Sequence, residues 1–271
     1  MKTLLLLFSV ACAFAQKPSW SPRLIKGEGI VGAKLFLVIP DAGSANQVLV
    51  ADYKFDGDGK VISEFRPNAV GRNSSAYDYS RALSYDNGKL SQVVERGAET
   101  IACIYHYNGS KDLQVCSGLD GKRRTLILTE RDAKGKALNV RNLKAIEPIG
   151  HFVYQEQDWV YKTGESQCRT SERECKATDE QLKVLQTSVD LDEIASVVDA
   201  MKTNVVKPSV YGDKWEDRYL TDQRGNVIGH WSGADKLGEN RFEYDANGLL
   251  QKMFIWVVDT WDEITFVYEK R

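Results

Sequence analysis

Four things are scarce in this sequence, and each scarcity removes a class of function. After the first residues, no segment approaches the roughly 20 apolar residues a membrane-spanning helix requires. Neither sign of charge dominates: 36 Lys and Arg stand against 38 Asp and Glu. That balance gives no electrostatic footprint for nucleic acid or an anionic membrane surface. Histidine occurs three times, at His106, His151 and His230, never with a second histidine four positions away or a carboxylate pair suited to a metal. The cysteines form no C-x-x-C pair, so a thiolate metal site is not indicated. No catalytic, cofactor-binding or metal-binding residues are assigned.

What is present begins with an export signal. Lys2 supplies the positive start, Leu4 to Val10 an apolar run, and Ala13-Phe14-Ala15 the small residues before a cleavage point, placed after Ala15. Ser9-Val10-Ala11-Cys12 is an alternative lipidation signal on Cys12, with Ser9 where leucine usually stands. Cleavage leaves 256 residues, read as a single β-rich domain over 16–271, periplasmic or secreted, and not membrane-spanning. It removes Lys2 and Cys12, leaving a net charge of −3 and four cysteines: Cys103, Cys116, Cys168 and Cys175. In an oxidising compartment an even number points to two short-range disulfides.

One phrase recurs: two aromatic or apolar residues one apart, then Asp or Asn, then Gly. It stands at Tyr53-Lys54-Phe55-Asp56-Gly57-Asp58-Gly59, Leu83-Ser84-Tyr85-Asp86-Asn87-Gly88, Tyr105-His106-Tyr107-Asn108-Gly109, Tyr219-Leu220-Thr221-Asp222-Gln223-Arg224-Gly225 and Phe242-Glu243-Tyr244-Asp245-Ala246-Asn247-Gly248. Arg131-Asp132-Ala133-Lys134-Gly135 is a weaker copy. Alternate aromatics pack on one face of a strand, Asp opens a turn through its side chain, and Gly takes the left-handed conformation that returns the chain. Successive turns lie 22, 24 and 23 residues apart (Asp86 to Asn108, Asn108 to Asp132, Asp222 to Asp245), the length of two strands and two turns. This spacing predicts a meander of antiparallel hairpins.

With Tyr244-Asp245-Ala246-Asn247-Gly248-Leu249-Leu250 and Tyr85-Asp86-Asn87-Gly88-Lys89-Leu90 as its best copies, the chain resembles the YD-repeat (Rhs-type) proteins. The resemblance covers about half the chain and implies an exported scaffold with no catalytic residue carried over. In that family long arrays coil into a β-shell; five or six copies point instead to a curved or partly closed sheet.

Two stretches leave the hairpin period. Residues 177–204 change to helical spacing, with Leu182 and Leu185 and then Ile194, Val197, Val198 and Met201 as apolar stripes. Thr178 with Gln181 makes a capping box, and Asp190 or Asp192 starts a second helix, so a two-helix insertion is predicted. Lys17 to Gly32 reads as an extended lead-in to a first strand at Lys34 to Ile39.

A two-residue turn at Gly109-Ser110 pairs residues whose numbers sum to 219, which places Cys103 opposite Cys116 at a non-hydrogen-bonded position within disulfide reach. An Asn108-Gly109 turn is the alternative and separates them. Cys168 and Cys175 bracket a charged loop and are expected to pair with each other.

Other constellations resolve into ordinary structure. Gly229-His230-Trp231-Ser232-Gly233 has its serine displaced from a nucleophile elbow's central position. Asp56-Gly57-Asp58-Gly59 fails as a calcium loop, because Lys54 and Phe65 fall where carboxylates are needed. Asn73-Ser74-Ser75 and Asn108-Gly109-Ser110 match glycosylation sequons but read as turns. Trp256, Trp261, Phe266 and Tyr268 crowd the C-terminal strands and read as core, with a carbohydrate or peptide face as the alternative. An outer-membrane barrel is disfavoured by charges on both strand faces and by the helical insertion. The functional expectation is a non-enzymatic interaction or scaffolding surface for a protein or glycan partner. The alternative is a hydrolase or small-ligand carrier with a site assembled from distant residues, marked by a concave pocket pairing carboxylates, or a carboxylate with histidine.

Overall fold

The computed structural model describes residues 20–39, 47–70, 76–208, 215–257 and 260–271. The expected leader, 1–15, and the Asn73 sequon lie outside them.

Four of the Asp/Gly phrases fold as turns of one design. Asp56, Asp132, Asp222 and Asp245 each accept, on one carboxylate oxygen, the amides two and four residues on, at 2.8–2.9 Å. The amide of the glycine three residues on donates to the same aspartate's carbonyl. Gly59, Gly135, Gly225 and Gly248 take φ of 78°, 81°, 85° and 86°, where a Cβ would be strained. Asn87-Gly88 makes a two-residue turn with φ of 47° and 81°.

These turns join strands that pair with their sequence neighbours. The strands are β1 (Ile30–Val38), β2 (Gln47–Phe55), β3 (Val61–Val70), β4 (Ala76–Asp86), β5 (Lys89–Arg96) and β6 (Thr100–Asn108). Next come β7 (Lys111–Gly118), β8 (Arg123–Arg131), β9 (Ala137–Ile146), β10 (His151–Lys162) and β11 (Glu165–Lys176). The ring continues through β12 (Val205–Pro208), β13 (Trp215–Thr221), β14 (Val227–Ser232), β15 (Asp235–Tyr244), β16 (Leu250–Val257) and β17 (Thr260–Lys270). All ladders are antiparallel. β12 and β13 pair with different halves of β11 and share one place in the ring. β17 pairs with β1 from Ile30↔Lys270 to Val38↔Glu263, so the sheet closes into a barrel of sixteen staves.

Closure corrects the expectation of a curved or partly closed sheet. Seven hairpins turn at one rim; six carry the recurring phrase and the seventh, Thr163-Gly164, lacks its aspartate. Seven hairpins supply fourteen staves, and β1 and β17 complete the ring.

The predicted insertion forms two helices, α2 and α3, after a shorter α1. Ser21 caps α1 (Pro22–Gly27), accepting from the amide of Leu24 with proline at the first helical position. The lead-in is therefore partly helical, and the first strand begins at Ile30, four residues before its predicted start. Thr178 and Gln181 exchange capping-box bonds of 2.9 and 3.2 Å ahead of α2 (Asp179–Thr187). Asp190 caps α3 (Leu191–Met201), accepting from Asp192 and Glu193.

The continuous register gives the barrel two faces. Followed across the ladders, Tyr154, Leu143, Leu126, Val115, Ile104 and Gln92 share a face, which continues through Ala82, Ser63 and Lys54. In β4 and β15 this face holds exposed Ala82, Ser84, Arg241 and Glu243, while the alternating residues are sheltered, so it is the outer one. The inner face carries Ala33, Leu35, Tyr53, Met253, Ile264 and Phe266, against which Ile25 packs from α1 and Trp20 from just before it. The Trp20 ring lies 5.3 Å from both Tyr53 and Phe55 and 6.0 Å from Phe266. α2 and α3 cover the opposite side, setting Leu185, Ile194, Val198 and Met201 on Leu113, Leu126, Leu143 and Tyr154. Each such buried aliphatic side chain contributes about 1.5–3 kcal/mol.

Candidate binding site

Alternation along the C-terminal strands decides where the aromatics go. Met253, Ile255, Ile264 and Phe266 point inward and are buried. Their alternates Phe254, Trp256, Trp261 and Thr265 must then face outward, as Trp231 does from β14. Trp256 and Trp261 stand directly opposite each other across the β16–β17 ladder. The expectation that Trp256, Trp261, Phe266 and Tyr268 form core therefore holds for the last two alone.

Cations lie over these outer indoles. The Arg241 guanidinium is 4.2 Å from the Trp261 ring centre and that of Arg218 is 4.8 Å from Trp231. Lys236 sits between Trp231 and Trp256, at 5.9 and 5.8 Å. Glu239 pairs with Lys236 and with Arg241 (3.6 Å), and Lys252 with Glu263 (2.8 Å). The result is a field of three half-buried indoles from three strands, interleaved with charged groups able to donate and accept hydrogen bonds. The sequence offers such a face at Trp256 and Trp261 only as the alternative to core and does not single out Trp231; the signal for the outward placement is the parity of Trp256 and Trp261 against Met253, Ile255 and Ile264.

The histidines occupy separate places. His151 Nδ1 lies 3.0 Å from a Glu174 carboxylate oxygen on the inner face. His230 stacks on Tyr219 at 4.4 Å, with its Nε2 3.6 Å from Asp217. His106 stands on the outer face across from Leu113. Two histidine–carboxylate pairs are thus formed, but neither lines the clefts of about 480 Å³ beside α2 or about 330 Å³ beside α1. Gly229 to Ser232 belong to a strand, not an elbow, and the Asp56 carboxylate is engaged by amides of its own turn. Among the described residues no three His, Cys, Asp or Glu side chains gather as a metal site.

Cys103 and Cys116 face each other across the Gly109-Ser110 turn and are disulfide-bonded, with Cα atoms 4.0 Å apart. The expected Cys168–Cys175 bond does not form: both thiols are free and buried. They lie on one strand, β11, seven residues apart and on opposite faces, a separation of about 23 Å at the usual rise per residue. Burial raises both thiol pKa values, that of Cys175 to about 11, which suppresses thiolate chemistry.

No family model and no curated protein matches the chain. Among solved structures it is similar to a porin-like protein from Bacteroides uniformis ATCC 8492, with 9% identity and a TM-score of 0.38 over 89% of this chain and 97% of that one. It is also similar to a porin-like protein from Bacteroides vulgatus ATCC 8482, with 10% identity and a TM-score of 0.30 over 87% of this chain and 97% of that one. Neither score reaches the level of a shared fold.

Proposed function

We propose that this chain is an exported, non-enzymatic binding protein whose closed barrel is a rigid support and whose outer tryptophan field meets a glycan. The observation that carries the reading is the placement of Trp231, Trp256 and Trp261 on the wall's outer side, beside Glu239, Arg241 and Glu263. Indole faces take the C–H faces of sugar rings, and neighbouring carboxylates and guanidinium groups pair with hydroxyls. The leader supports export, and the rim hairpins support kinship with YD-repeat proteins as a short array closed on itself.

Charge on the outer wall argues for water rather than lipid as its surroundings. Glu269 holds Lys34 and Lys54, each at 2.6 Å, on the outer side of β17, β1 and β2. Arg or Lys costs about 2–4 kcal/mol on the lipid face at the bilayer midplane.

Titration of the mature protein against a panel of bacterial and host oligosaccharides tests the proposal. Saturable binding that falls at least tenfold in the W256A/W261A double variant, with its unfolding midpoint retained, is the expected result. No glycan bound, a protein partner captured equally well after glycosidase treatment, or turnover of any panel member would overturn it.

A further inference from the structure

The cleft beside α2 is a second site, independent of the tryptophan field. It opens on the outer face where α2 meets the ends of β8, β9 and β10, and holds about 480 Å³, within the range of small-molecule sites. Its apolar side is built from Ala145, Ile146, Phe152 and Leu182. Ile149 hangs at its edge with 75% of its surface exposed.

The other side is cationic. Lys122, Arg123 and Arg124 enter the lining together with two carboxylates, Asp120 and Glu147. Arg123 is spent on the fold, donating to the carbonyls of Leu185 (3.2 Å) and Ser188 (2.6 Å) at the end of α2. Arg124 pairs with Asp120 at 3.5 Å. Lys122, at the exposed 119–122 turn, has no carboxylate within ion-pair distance among the described residues. Glu147, like Lys122, has no ion-pair partner among the described residues, so the lining sets three cations against two carboxylates and keeps a net charge of +1. An apolar trough with that surplus is complementary to a molecule with an aliphatic tail and a single negative head.

We infer that this cleft binds an amphipathic monocarboxylate of the fatty-acid class, its chain against Phe152 and Leu182 and its carboxylate at Lys122. The site follows from the insertion: without α2 the outer face of β8–β10 has no opposing wall.

Calorimetric titration of the mature protein with dodecanoate tests the inference, with dodecyltrimethylammonium as the charge-reversed probe. Dodecanoate should bind one per chain and the cationic probe at least fivefold more weakly. K122E should weaken dodecanoate at least fivefold, and A145L, which fills the trough, should abolish binding with the unfolding midpoint unchanged. A diazirine-bearing dodecanoate should label peptides spanning 145–152 and 182–186, a readout that does not depend on either variant folding. Absence of saturable binding, equal affinity for both head groups, or labelling confined to other peptides would overturn the inference. Loss of glycan binding in W256A/W261A leaves this site untouched, so the two proposals fail separately.

Discussion

The hydroxyl of Tyr107 donates to the carbonyl oxygen of Leu90 at 2.7 Å, while the ammonium of Lys89 lies 4.8 Å from the centre of the same ring. Tyr107 ends one hairpin strand; Lys89 and Leu90 open the strand after the preceding turn. The relationship repeats along the rim. Tyr85 donates to Val61 at 2.8 Å under Lys60, and Tyr268 donates to Leu250 at 2.6 Å. Lys136 lies over Tyr161 and Arg224 over Tyr244. The rim tyrosine is therefore a clamp onto the previous hairpin, and at Tyr244 the residue after it, Asp245, makes the next turn.

Tyr107→Phe keeps the ring and its cation and removes the donor, so it isolates the clamp's hydrogen bond. A loss of about 1 kcal/mol is expected. In a chain of this size that lowers the thermal midpoint by about 2–4 °C. Tyr85→Phe should behave alike, and the double variant should lose the sum, because each hydroxyl has its own acceptor. Calorimetry that found no change in either single variant would remove the clamp from the account.

Asp245→Ala strips the acceptor from the amides of Asn247 and Leu249, leaving the rim turn to its two backbone bonds. Bonds to a charged acceptor are worth about 1.5–3 kcal/mol each, offset in part by water reaching an exposed turn, so a net cost of about 1–2 kcal/mol is expected. Denaturant titration checks it. Asp245→Asn, which keeps an acceptor oxygen, should recover most of the loss.

Glu269 carries a pH signature. Hydrogen bonds from Lys34 and then Lys54 hold its carboxyl down to about 2, below its ordinary value of 4.5. A carboxylate whose pKa is lower folded than unfolded stabilises the fold above the unfolded value, and that stabilisation disappears as pH falls through the folded one. Glu269→Gln should accordingly lower the unfolding midpoint at pH 7, and the difference from the parent should shrink between pH 4.5 and about 2. A difference that stayed constant across that window would contradict the pairing.

The thiols separate folded from unfolded protein. Under native, non-reducing conditions at pH 8, Cys168 and Cys175 should resist alkylation, because both are buried with raised pKa values. In denaturant without reductant both should react while Cys103 and Cys116 do not. Peptide mapping reads all four. Substituting both members of the Cys103–Cys116 pair should cost about 3 kcal/mol, from the entropy of a loop closed over a sequence separation of 13.

Local chemistry was legible wherever a turn announced it. Asp222 and Asp245 marked hairpins, Thr178 and Asp190 marked helix starts, and the Gly109-Ser110 turn set the register of Cys103 on Cys116. Closure was not legible, since Ile30 and Lys270 meet across nearly the whole chain and no local pattern encodes their pairing. The run from Arg169 to Glu174 looks like a loop in the sequence because four of its six residues are charged and the other two are Thr170 and Ser171. It is a strand with polar partners on both faces: Glu174 meets His151 inside, while outside Arg173 lies over Tyr154 and donates to the Lys202 carbonyl. The tryptophan field was hidden for a related reason, because the face taken by Trp256 or Trp261 depends on which neighbours fill the core.

Pairing of β1 with β17 also dictates an order of events during synthesis and export. The first strand must wait, one side bare, until the final one emerges, and the growing ribbon carries an open border throughout that interval. Such a border is a template for another polypeptide, so escort by a chaperone matters most just before the ring shuts; once shut, it leaves a second copy only short edges among the described strands, such as that of β12, which pairs with β11 alone.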